Sequence, residues 1–211
     1  MPTTRTYGDA CGIARALDVV GERWALLVVR ELLLGAQRFS DLRAALPKAS
    51  SNLVADRLRE LTARGVVRRR KLAPPAGSWV YELTDWGQAL EPVLLALGGW
   101  AMDVPMPPEP ALSPTSVLIF LRGSVHPDPA APPATFGVDL GDRPWTVRVD
   151  AGEVRIEAGA PGSPVAVLST TPAALNDLLA DPSSFDSVVA GGAIVVDGDV
   201  AALRALIASV T

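Results

Sequence analysis

The sequence predicts an α+β protein of two domains, and three observations support this prediction. Five prolines fall within residues 104–114, which favours a stiff, extended linker. The net charge changes sign across that linker, from +3 for residues 1–104 to −7 for residues 105–211. Helical and strand periodicities occur on both sides of it. We therefore predict an N-terminal domain at 1–104, a linker at 105–114 and a C-terminal domain at 115–211.

Composition limits the classes of function. The 211 residues include a single cysteine, Cys11, and a single histidine, His126, which excludes an intramolecular disulfide and argues against His-based metal sites and catalytic triads. We find no secretory h-region, no apolar run long enough to span a membrane and no glycine-rich phosphate-binding loop. Asp197 and Asp199 flank a turn and fit turn and cap positions better than a catalytic dyad. We expect a cytoplasmic protein without enzymatic activity, cofactor or bound metal.

Three helices are predicted before residue 50. Apolar residues recur at helical spacing over residues 11–21 and 23–34, and Gly35 ends the second helix. Ser40 is predicted to cap a short third helix at residues 41–45, with Phe39 as the apolar residue before the cap. Pro47 follows the end of that helix.

The most informative stretch is residues 50–71, with the sequence SSNLVADRLRELTARGVVRRRK. Ser50 suits the cap of a fourth helix and Gly65 suits its end, and a basic strand follows at residues 66–71. Seven basic residues and one acid lie between residues 57 and 71. The apolar stripe of the helix consists of Val54, Leu58 and Leu61, which leaves Ser51, Asn52, Ala55, Asp56 and Arg59 on or near the other side. This pattern is typical of a recognition helix that leads into a phosphate-binding strand. The alternative is a solvated amphipathic helix followed by a charged edge strand.

A hairpin and an apolar helix complete the first domain. Strands are predicted at 66–71 and 79–83, joined by a loop whose prolines and glycine form a wing. Thr84 is predicted to cap a last helix at residues 85–101, which is too apolar to be stable alone on a surface. With the first helix it indicates a dimer interface, and packing against its own domain is the alternative. Together these elements predict a winged helix–turn–helix domain that binds DNA.

Residues 7–100 carry a resemblance to a known family. The segments GERWALLVVRELLLG, RFSDLR, RLREL and VYELTDWGQALEPVL resemble the HxlR-type regulators, which are dimeric winged-helix transcription factors related to the MarR group. The resemblance implies a homodimer that binds a double-stranded DNA operator. The groove-facing or groove-edge positions that it implies are Ser51, Asn52, Ala55, Asp56 and Arg57, and the wing positions are Arg68, Arg69, Arg70, Lys71, Gly77 and Ser78. The predicted DNA-contacting set also includes Arg38, Ser40, Ser50 and Arg59.

Two positions depart from the pattern of that family. The family often has Cys-Pro where this chain has Cys11-Gly12, and it commonly has proline at the position of Ser51. Some members sense oxidants through the cysteine that matches Cys11. A lone cysteine could pair only across a dimer or become modified, and a packing or capping role is the alternative.

The sequence pattern of the second half predicts strands and helices in one domain. Residues 116–121 are apolar and compatible with either a helix or a strand. Strands are predicted at residues 135–140, 145–150, 153–158, 165–170 and 193–197. Helices are predicted at residues 173–179, where Thr171 and Pro172 start the helix, at residues 185–190, and at residues 200–209, where Asp199 is the cap. Mostly antiparallel strands with late helices are typical of an α+β domain.

Residues 115–208 resemble the sterol-carrier-protein-like domain. The resemblance is carried by VDLGDRPWTVRVDAGEVRIEAG, STTPAALNDLL and GGAIVVDGDVAALRAL. That fold implies an apolar tunnel between the sheet and its helices, able to hold a lipid or another hydrophobic ligand. The candidate lining residues are Phe120, Phe136, Trp145, Leu175, Leu178, Leu179, Phe185, Val188 and Leu206. Each is also compatible with a plain core position.

The sequence therefore predicts a homodimeric transcription regulator with a hydrophobic small-molecule effector. Ser51 and Asn52 would contact base edges, with help from Arg57 or Arg59, while the arginine cluster and the wing bind phosphates. The effector would act by favouring one dimer geometry over another. The alternatives are a C-terminal domain that serves only as a carrier, scaffold or oligomerisation module, and redox control through Cys11.

Overall fold

The computed structural model describes residues 6–73, 76–105, 107, 111–141 and 143–210. The chain forms two compact units, Met1–Pro105 and Met106–Thr211. Parts of the predicted linker, at residues 106 and 108–110, lie outside the described residues, as do the predicted loop prolines Pro74 and Pro75 and the turn residue Asp142. Within the described ranges, no helix is long and apolar enough to cross a membrane.

The first four helices of the first unit pack around one apolar core. They are α1 (Gly12–Val20), α2 (Ala25–Leu32), α3 (Phe39–Ala45) and α4 (Ser51–Ala63). The core contains Val28 and Leu32 from α2, Leu42 from α3, and Val54 and Leu58 from α4. Because these residues recur three or four positions apart, each helix turns one apolar stripe inward. The polar residues of α4 are thereby left on its outer side.

Helix α3 begins two residues earlier than predicted, at Phe39, and Ser40 is not its cap. The N-cap residue is Arg38, and Ser40 lies in the first turn with its hydroxyl donating to Asp41 Oδ1 at 3.0 Å. The other oxygen, Asp41 Oδ2, accepts the backbone N–H of Arg38 at 3.2 Å. The Asp41 carboxylate therefore closes the start of the helix from its third position, and no serine cap is needed.

The hairpin consists of β1 (Val67–Lys71) and β2 (Trp79–Leu83), which pair antiparallel. Gly65 adopts φ +77° directly after α4, a conformation that glycine tolerates and that turns the chain into β1. Gln37 forms an isolated antiparallel β-bridge with Tyr81, because its N–H donates to the Tyr81 carbonyl at 2.9 Å and its carbonyl accepts from the Tyr81 N–H at 2.8 Å. The hairpin is thus bonded to the segment before α3 as well as to α4.

The predicted helix over residues 85–101 is two helices, α5 (Asp85–Gln88) and α6 (Glu91–Trp100). Thr84 caps α5 as predicted, and its Oγ accepts from Gly87 N–H at 3.1 Å. The break follows from Pro92, which has no N–H for the Gln88 carbonyl and whose ring crowds the preceding turn. Gly87 lies against the residue before β1, and a Cβ added there would come within 2.1 Å of the Val66 carbonyl oxygen.

The described strands of the second unit form one five-stranded sheet. They are β3 (Ala134–Asp139), β4 (Pro144–Asp150), β5 (Glu153–Ala158), β6 (Ala166–Ser169) and β7 (Val195–Gly198), in the order β5-β4-β3-β6-β7. Neighbouring strands are antiparallel except β3 and β6, which are parallel. Because β5 and β6 are not neighbours, the connection between them crosses the sheet. A Cβ on Gly137 would lie 3.3 Å from Pro161 Cγ, so glycine leaves room for that connection.

The described helices of the second unit are α7 (Pro114–Ser124), α8 (Pro172–Ala180), α9 (Phe185–Ala190) and α10 (Val200–Ala208). The ambiguous apolar segment at 116–121 is helical, because Ser113 caps it by accepting from Ser116 N–H at 3.0 Å and proline occupies the first position. Thr171 and Asp199 are caps as predicted. Helices α7 and α8 contact each other, and α7 and α10 contact the sheet. The chain is α+β, as the sequence predicts.

Candidate DNA-binding surface

The N-terminal half of α4 presents polar side chains outward. The Ser50 hydroxyl accepts from Leu53 N–H at 3.2 Å and so caps the helix. Ser51 and Asn52 are exposed, while Val54 on the opposite side is completely buried. A serine and an asparagine at the exposed start of such a helix supply donors and acceptors suited to base edges.

The next turn of α4 carries a charged pair. Arg59 Nη1 lies 2.7 Å from Asp56 Oδ1, and the Arg59 side chain is largely exposed. Ala55 and Asp56 are half-buried, beside the exposed strip. The Asp56 carboxylate offsets the positive charge of Arg59 and holds its side chain along the helix, so Arg59 can act as an oriented hydrogen-bond donor.

The structure corrects the expectation for Arg57. Its side chain is only 11 % exposed, with Nη1 2.7 Å from Glu60 Oε2 and 3.4 Å from Glu22 Oε2. Position 57 lies three residues after Val54 and four before Leu61, next to the buried stripe of α4. Arg57 therefore fastens α4 to the turn before α2 through Glu22, and it is not a groove-edge residue.

One face of the hairpin carries two arginines joined by a carboxylate. Arg68 Nε lies 2.7 Å from Glu82 Oε1, and Arg70 Nε lies 2.6 Å from Glu82 Oε2. Burial opposes ionisation of Glu82, but the hydrogen bonds and charges of Arg70 and Arg68 outweigh it, so the pKa of Glu82 lies below its ordinary value. Glu82 is thus ionised at neutral pH and neutralises part of the charge of this face.

The other face of the hairpin is cationic and aromatic. Because side chains alternate along a strand, Arg69 and Lys71 point away from Arg68 and Arg70. The Arg69 guanidinium lies 4.4 Å from the centre of the Trp79 ring and 5.8 Å from that of Tyr81. Such contacts contribute about 0.5–1 kcal/mol at exposed sites and orient the guanidinium without neutralising it. Among the described hairpin residues, Arg68 and Arg70 form ion pairs with Glu82, whereas Arg69 and Lys71 form no ion pair with a carboxylate.

The remaining predicted contacts flank these elements. Arg38 is exposed at the start of α3, and Ser40, two residues later, is also exposed. Gly77 has φ +56°, which suits a loop glycine, and the Ser78 carbonyl accepts from Leu72 N–H at 2.9 Å to close the described base of the wing. Ser78 is half-buried, so of these two wing residues Gly77 is the more accessible.

Arg43 is a residue of this surface that sequence reasoning missed. Its Nε donates to Ser51 Oγ at 3.0 Å, and its Nη1 donates to the carbonyls of Leu46, at 3.1 Å, and Ala49. The available signal was its position in the last turn of a short helix, where a basic side chain can satisfy free carbonyls. Arg43 binds the turn between α3 and α4 to the first residue of α4.

Cys11 is exposed and precedes the first residue of α1. It makes no regular side-chain capping bond, but the N–H groups of Ile13 and Ala14 favour the thiolate and lower the pKa of Cys11 below its ordinary value. An exposed thiol with a lowered pKa has the features of a reactive cysteine.

The exposed parts of α1 and α6 are apolar. Ile13 is 72 % exposed and Trp100 is 75 % exposed, and Leu17, Val93 and Leu97 are also substantially exposed. In a single copy of the chain these side chains face solvent. Large apolar side chains exposed on two helices are typical of an interaction surface.

The candidate ligand residues of the second unit are mostly core. Trp145 and Leu175 are completely buried, Val188 is half-buried, and Phe120 is 38 % exposed. The remaining candidates are all buried: Phe136, Leu178, Leu179, Phe185 and Leu206. The Arg143 guanidinium lies 4.2 Å from the centre of the Trp145 ring, at the edge of that core.

A compact set of helices, an exposed polar recognition helix and a cationic hairpin directly after it define a winged helix–turn–helix DNA-binding domain. Residues 19–108 match the family described as HxlR-like helix-turn-helix. The chain is also 42 % identical over 89 residues to the uncharacterized HTH-type transcriptional regulator YvaP of Bacillus subtilis, and this similarity covers 42 % of the present chain and 82 % of YvaP. The chain therefore belongs to the HxlR-like helix-turn-helix family and is a DNA-binding transcriptional regulator.

Other similar proteins match over comparable lengths. The HTH-type transcriptional regulator YodB of Bacillus subtilis is 33 % identical over 86 residues, which is 41 % of this chain and 77 % of YodB. A solved structure of the redox regulator HypR in its oxidized form is 31 % identical, with a TM-score of 0.40. The match covers 43 % of the present chain and 94 % of the HypR chain. The family match ends at residue 108, so the sterol-carrier-like identity of the second unit stays a prediction.

Proposed function

We propose that this regulator binds a two-fold operator as a homodimer and that a hydrophobic small molecule in its second unit controls the binding. The observation that carries the DNA-contact part is the geometry of α4 and the hairpin, where an exposed Ser51 and Asn52 lie on the helix that leads directly into Arg68–Lys71. Ser51, Asn52 and Arg59 would read base edges in the major groove. Arg69 and Lys71 would bind phosphates or the minor groove.

The dimer is supported by the apolar surface of α1 and α6. Ile13, Leu17, Leu97 and Trp100 stay exposed in one copy of the chain, and a second copy would bury them. A closed two-fold interface would present two α4 helices to two half-sites of an operator.

The effector is proposed for the layer between the sheet of the second unit and its helices. A five-stranded sheet with helices against it provides an apolar interior, and Phe120 and Val188 are the candidate residues that are least buried. An effector shifts operator affinity only if it binds one geometry of the dimer better than another.

A second candidate control is oxidation of Cys11, which its exposure and lowered pKa favour. In that case the second unit would act as a carrier, a scaffold or an oligomerisation module. A Cys11→Ser variant that still responds to oxidant would exclude this control.

The test is operator binding by the full chain, measured on the upstream region of its own gene by footprinting and fluorescence anisotropy. The titration is repeated with a panel of long-chain fatty acids and other apolar molecules. Specific binding that one of them weakens or strengthens supports the complete proposal. Specific binding without any response removes the effector and retains the DNA contacts, whereas the absence of specific binding removes both.

A further inference from the structure

Arg43 connects three parts of the first unit that determine where α4 begins. Two of its bonds go to the Leu46 and Ala49 carbonyls of the turn, and the third goes from Nε to Ser51 Oγ at 3.0 Å. The Leu46 carbonyl follows the end of α3, where helix carbonyls have no partner within the helix. One guanidinium therefore fixes the turn and the hydroxyl of the first residue of α4 at the same time.

The bond to Ser51 determines what that hydroxyl can offer DNA. A serine hydroxyl has one proton and two lone pairs, and the Arg43 Nε–H occupies one lone pair. Because two protons cannot share that contact, the hydroxyl proton points away from Arg43. Ser51 is exposed, so this proton is accessible to an acceptor that approaches from the side of α4 on which the base edges would lie.

We infer that Arg43 is a positioning residue for sequence recognition, which holds Ser51 as a hydrogen-bond donor to a base. This inference rests on the proposed function of α4. The matching partners are the major-groove acceptors, which are N7 of either purine, O6 of guanine and O4 of thymine. Arg43 itself touches no base in this arrangement, and it acts through Ser51.

Lysine is the informative replacement for Arg43, because it keeps the positive charge but not the geometry. An ammonium group can satisfy a carbonyl of the turn, but it has no second, separated N–H fixed toward Ser51. A contact of Arg43 with a phosphate would survive this replacement, since phosphate contacts depend chiefly on charge. The R43K variant therefore separates a role in positioning from a role in electrostatics.

The experiment uses the full chain and the duplex that the wild type selects from a randomised library. Each base pair of the selected site is then replaced singly, and affinities are measured for the wild type, S51A, R43K and R43K/S51A. The matched control is R64K, which makes the same replacement at an exposed arginine after the end of α4. R64K is expected to bind like the wild type.

We expect S51A and R43K each to weaken binding of the selected site by about tenfold and to lose discrimination at the same base pair. The double variant should be no weaker than either single variant, because both remove one interaction. The slope of affinity against salt concentration should stay unchanged in R43K. S51T, which keeps the hydroxyl, should retain the base preference, and R43K/S51T should lose it.

Three results would overturn the inference. These are unchanged binding by R43K, a loss spread evenly over all substituted duplexes, or losses that multiply in R43K/S51A. Circular dichroism verifies that R43K is folded, and if it is not, R43Q is measured with the same criteria. If the wild type selects no sequence at all, the proposed function of α4 fails first and takes this inference with it. If the wild type selects a site and R43K gives any of the three results above, the inference alone is overturned.

Discussion

The two units of this protein present their candidate residues in opposite ways. In the first unit Asn52 is exposed on a helix whose other side forms the core, and Arg69 is exposed on the hairpin that follows that helix. In the second unit Trp145 and Leu175, the corresponding candidates for a ligand site, are completely buried. A surface that binds DNA has to project from the core, whereas a site for an apolar molecule is lined by the residue types that the core also requires.

This difference explains why one site is better defined than the other. Polar residues off an apolar stripe can be distinguished in a sequence, because they differ from the residue types that the core requires. Apolar residues give no such distinction, so burial in the structure has to separate them. Phe120, at 38 % exposure, and Val188, which is half-buried, stand apart from the rest of their set.

The largest expected effect belongs to the core of the second unit. Trp145→Ala should lower the free energy of unfolding of that unit by about 3–5 kcal/mol, because it empties the volume of a completely buried indole. Phe120→Ala should lower it less, by about 1–2 kcal/mol, because its ring is only partly buried, and, if Phe120 lines a ligand site, reduce binding of the apolar molecule. Denaturant unfolding measures the change in stability for each variant. Operator affinity, measured on the same variants, reports on the first unit. Equal destabilisation by the two changes would place Phe120 in the core and would remove the distinction between it and Trp145.

The next effect contrasts two pairs of basic residues. The double variant Arg69→Ala, Lys71→Ala should weaken operator binding by at least about a hundredfold and flatten the salt slope by about two units, because the two proposed phosphate contacts of the hairpin are lost. The matched control is Arg148→Ala, Arg155→Ala, an exposed pair on neighbouring strands of the second unit with the same loss of charge. Fluorescence anisotropy over a salt series compares them. Similar losses in both pairs would indicate a response to net charge and would remove the assignment of the wing.

A smaller effect on stability is expected from replacing serines at the starts of two helices. Ser50→Ala should destabilise the first unit by about 1 kcal/mol, because Leu53 N–H loses the acceptor that caps α4. Ser40→Ala should have less than about 0.5 kcal/mol of effect, since its hydroxyl only donates to Asp41. Thermal unfolding monitored by circular dichroism provides the comparison. A larger effect at Ser40 would restore it as the cap of α3.

The smallest effect is a dependence on pH within the wing. The folded pKa of Glu82 lies below its unfolded value, which is about 4.3, so the ionised carboxylate stabilises the fold above that pH. This contribution is lost as the pH falls through the folded pKa. Glu82→Gln should therefore be less stable than the wild type at neutral pH, and the two should converge in acid. A gap that is constant over the pH range would mean that Glu82 acts through packing rather than charge.

Local chemistry made much of the fold predictable. Serine, threonine and aspartate caps at Ser50, Thr84, Thr171 and Asp199 fix where helices start, and each depends on neighbours only three residues away. The winged helix–turn–helix fold followed from such local patterns. The break of the last predicted helix at Pro92 had a local signal too, which the strong apolar periodicity outweighed.

Features that depend on contacts across the fold were not predictable in the same way. Arg57 is a basic residue in the recognition helix, as a DNA contact would be. Its pairing with Glu22 and Glu60 is visible only when α4 and the turn before α2 are placed together. The same holds for Gln37, whose pairing with Tyr81 joins segments far apart in the chain. Basic residues of a DNA-binding domain therefore divide into those that meet the nucleic acid and those that hold the domain together, and pairing geometry decides between them.

Gly87 carries a consequence for how relatives of this protein are compared. A methyl group at this position would come within 2.1 Å of the Val66 carbonyl oxygen, so no other amino acid fits without displacing backbone. We expect selection to keep this glycine constant in family members that share the joint between hairpin and helix, although it offers no side chain to DNA. A survey that ranks positions by invariance would then score Gly87 above Asn52, whose identity has to change whenever a regulator acquires a new operator.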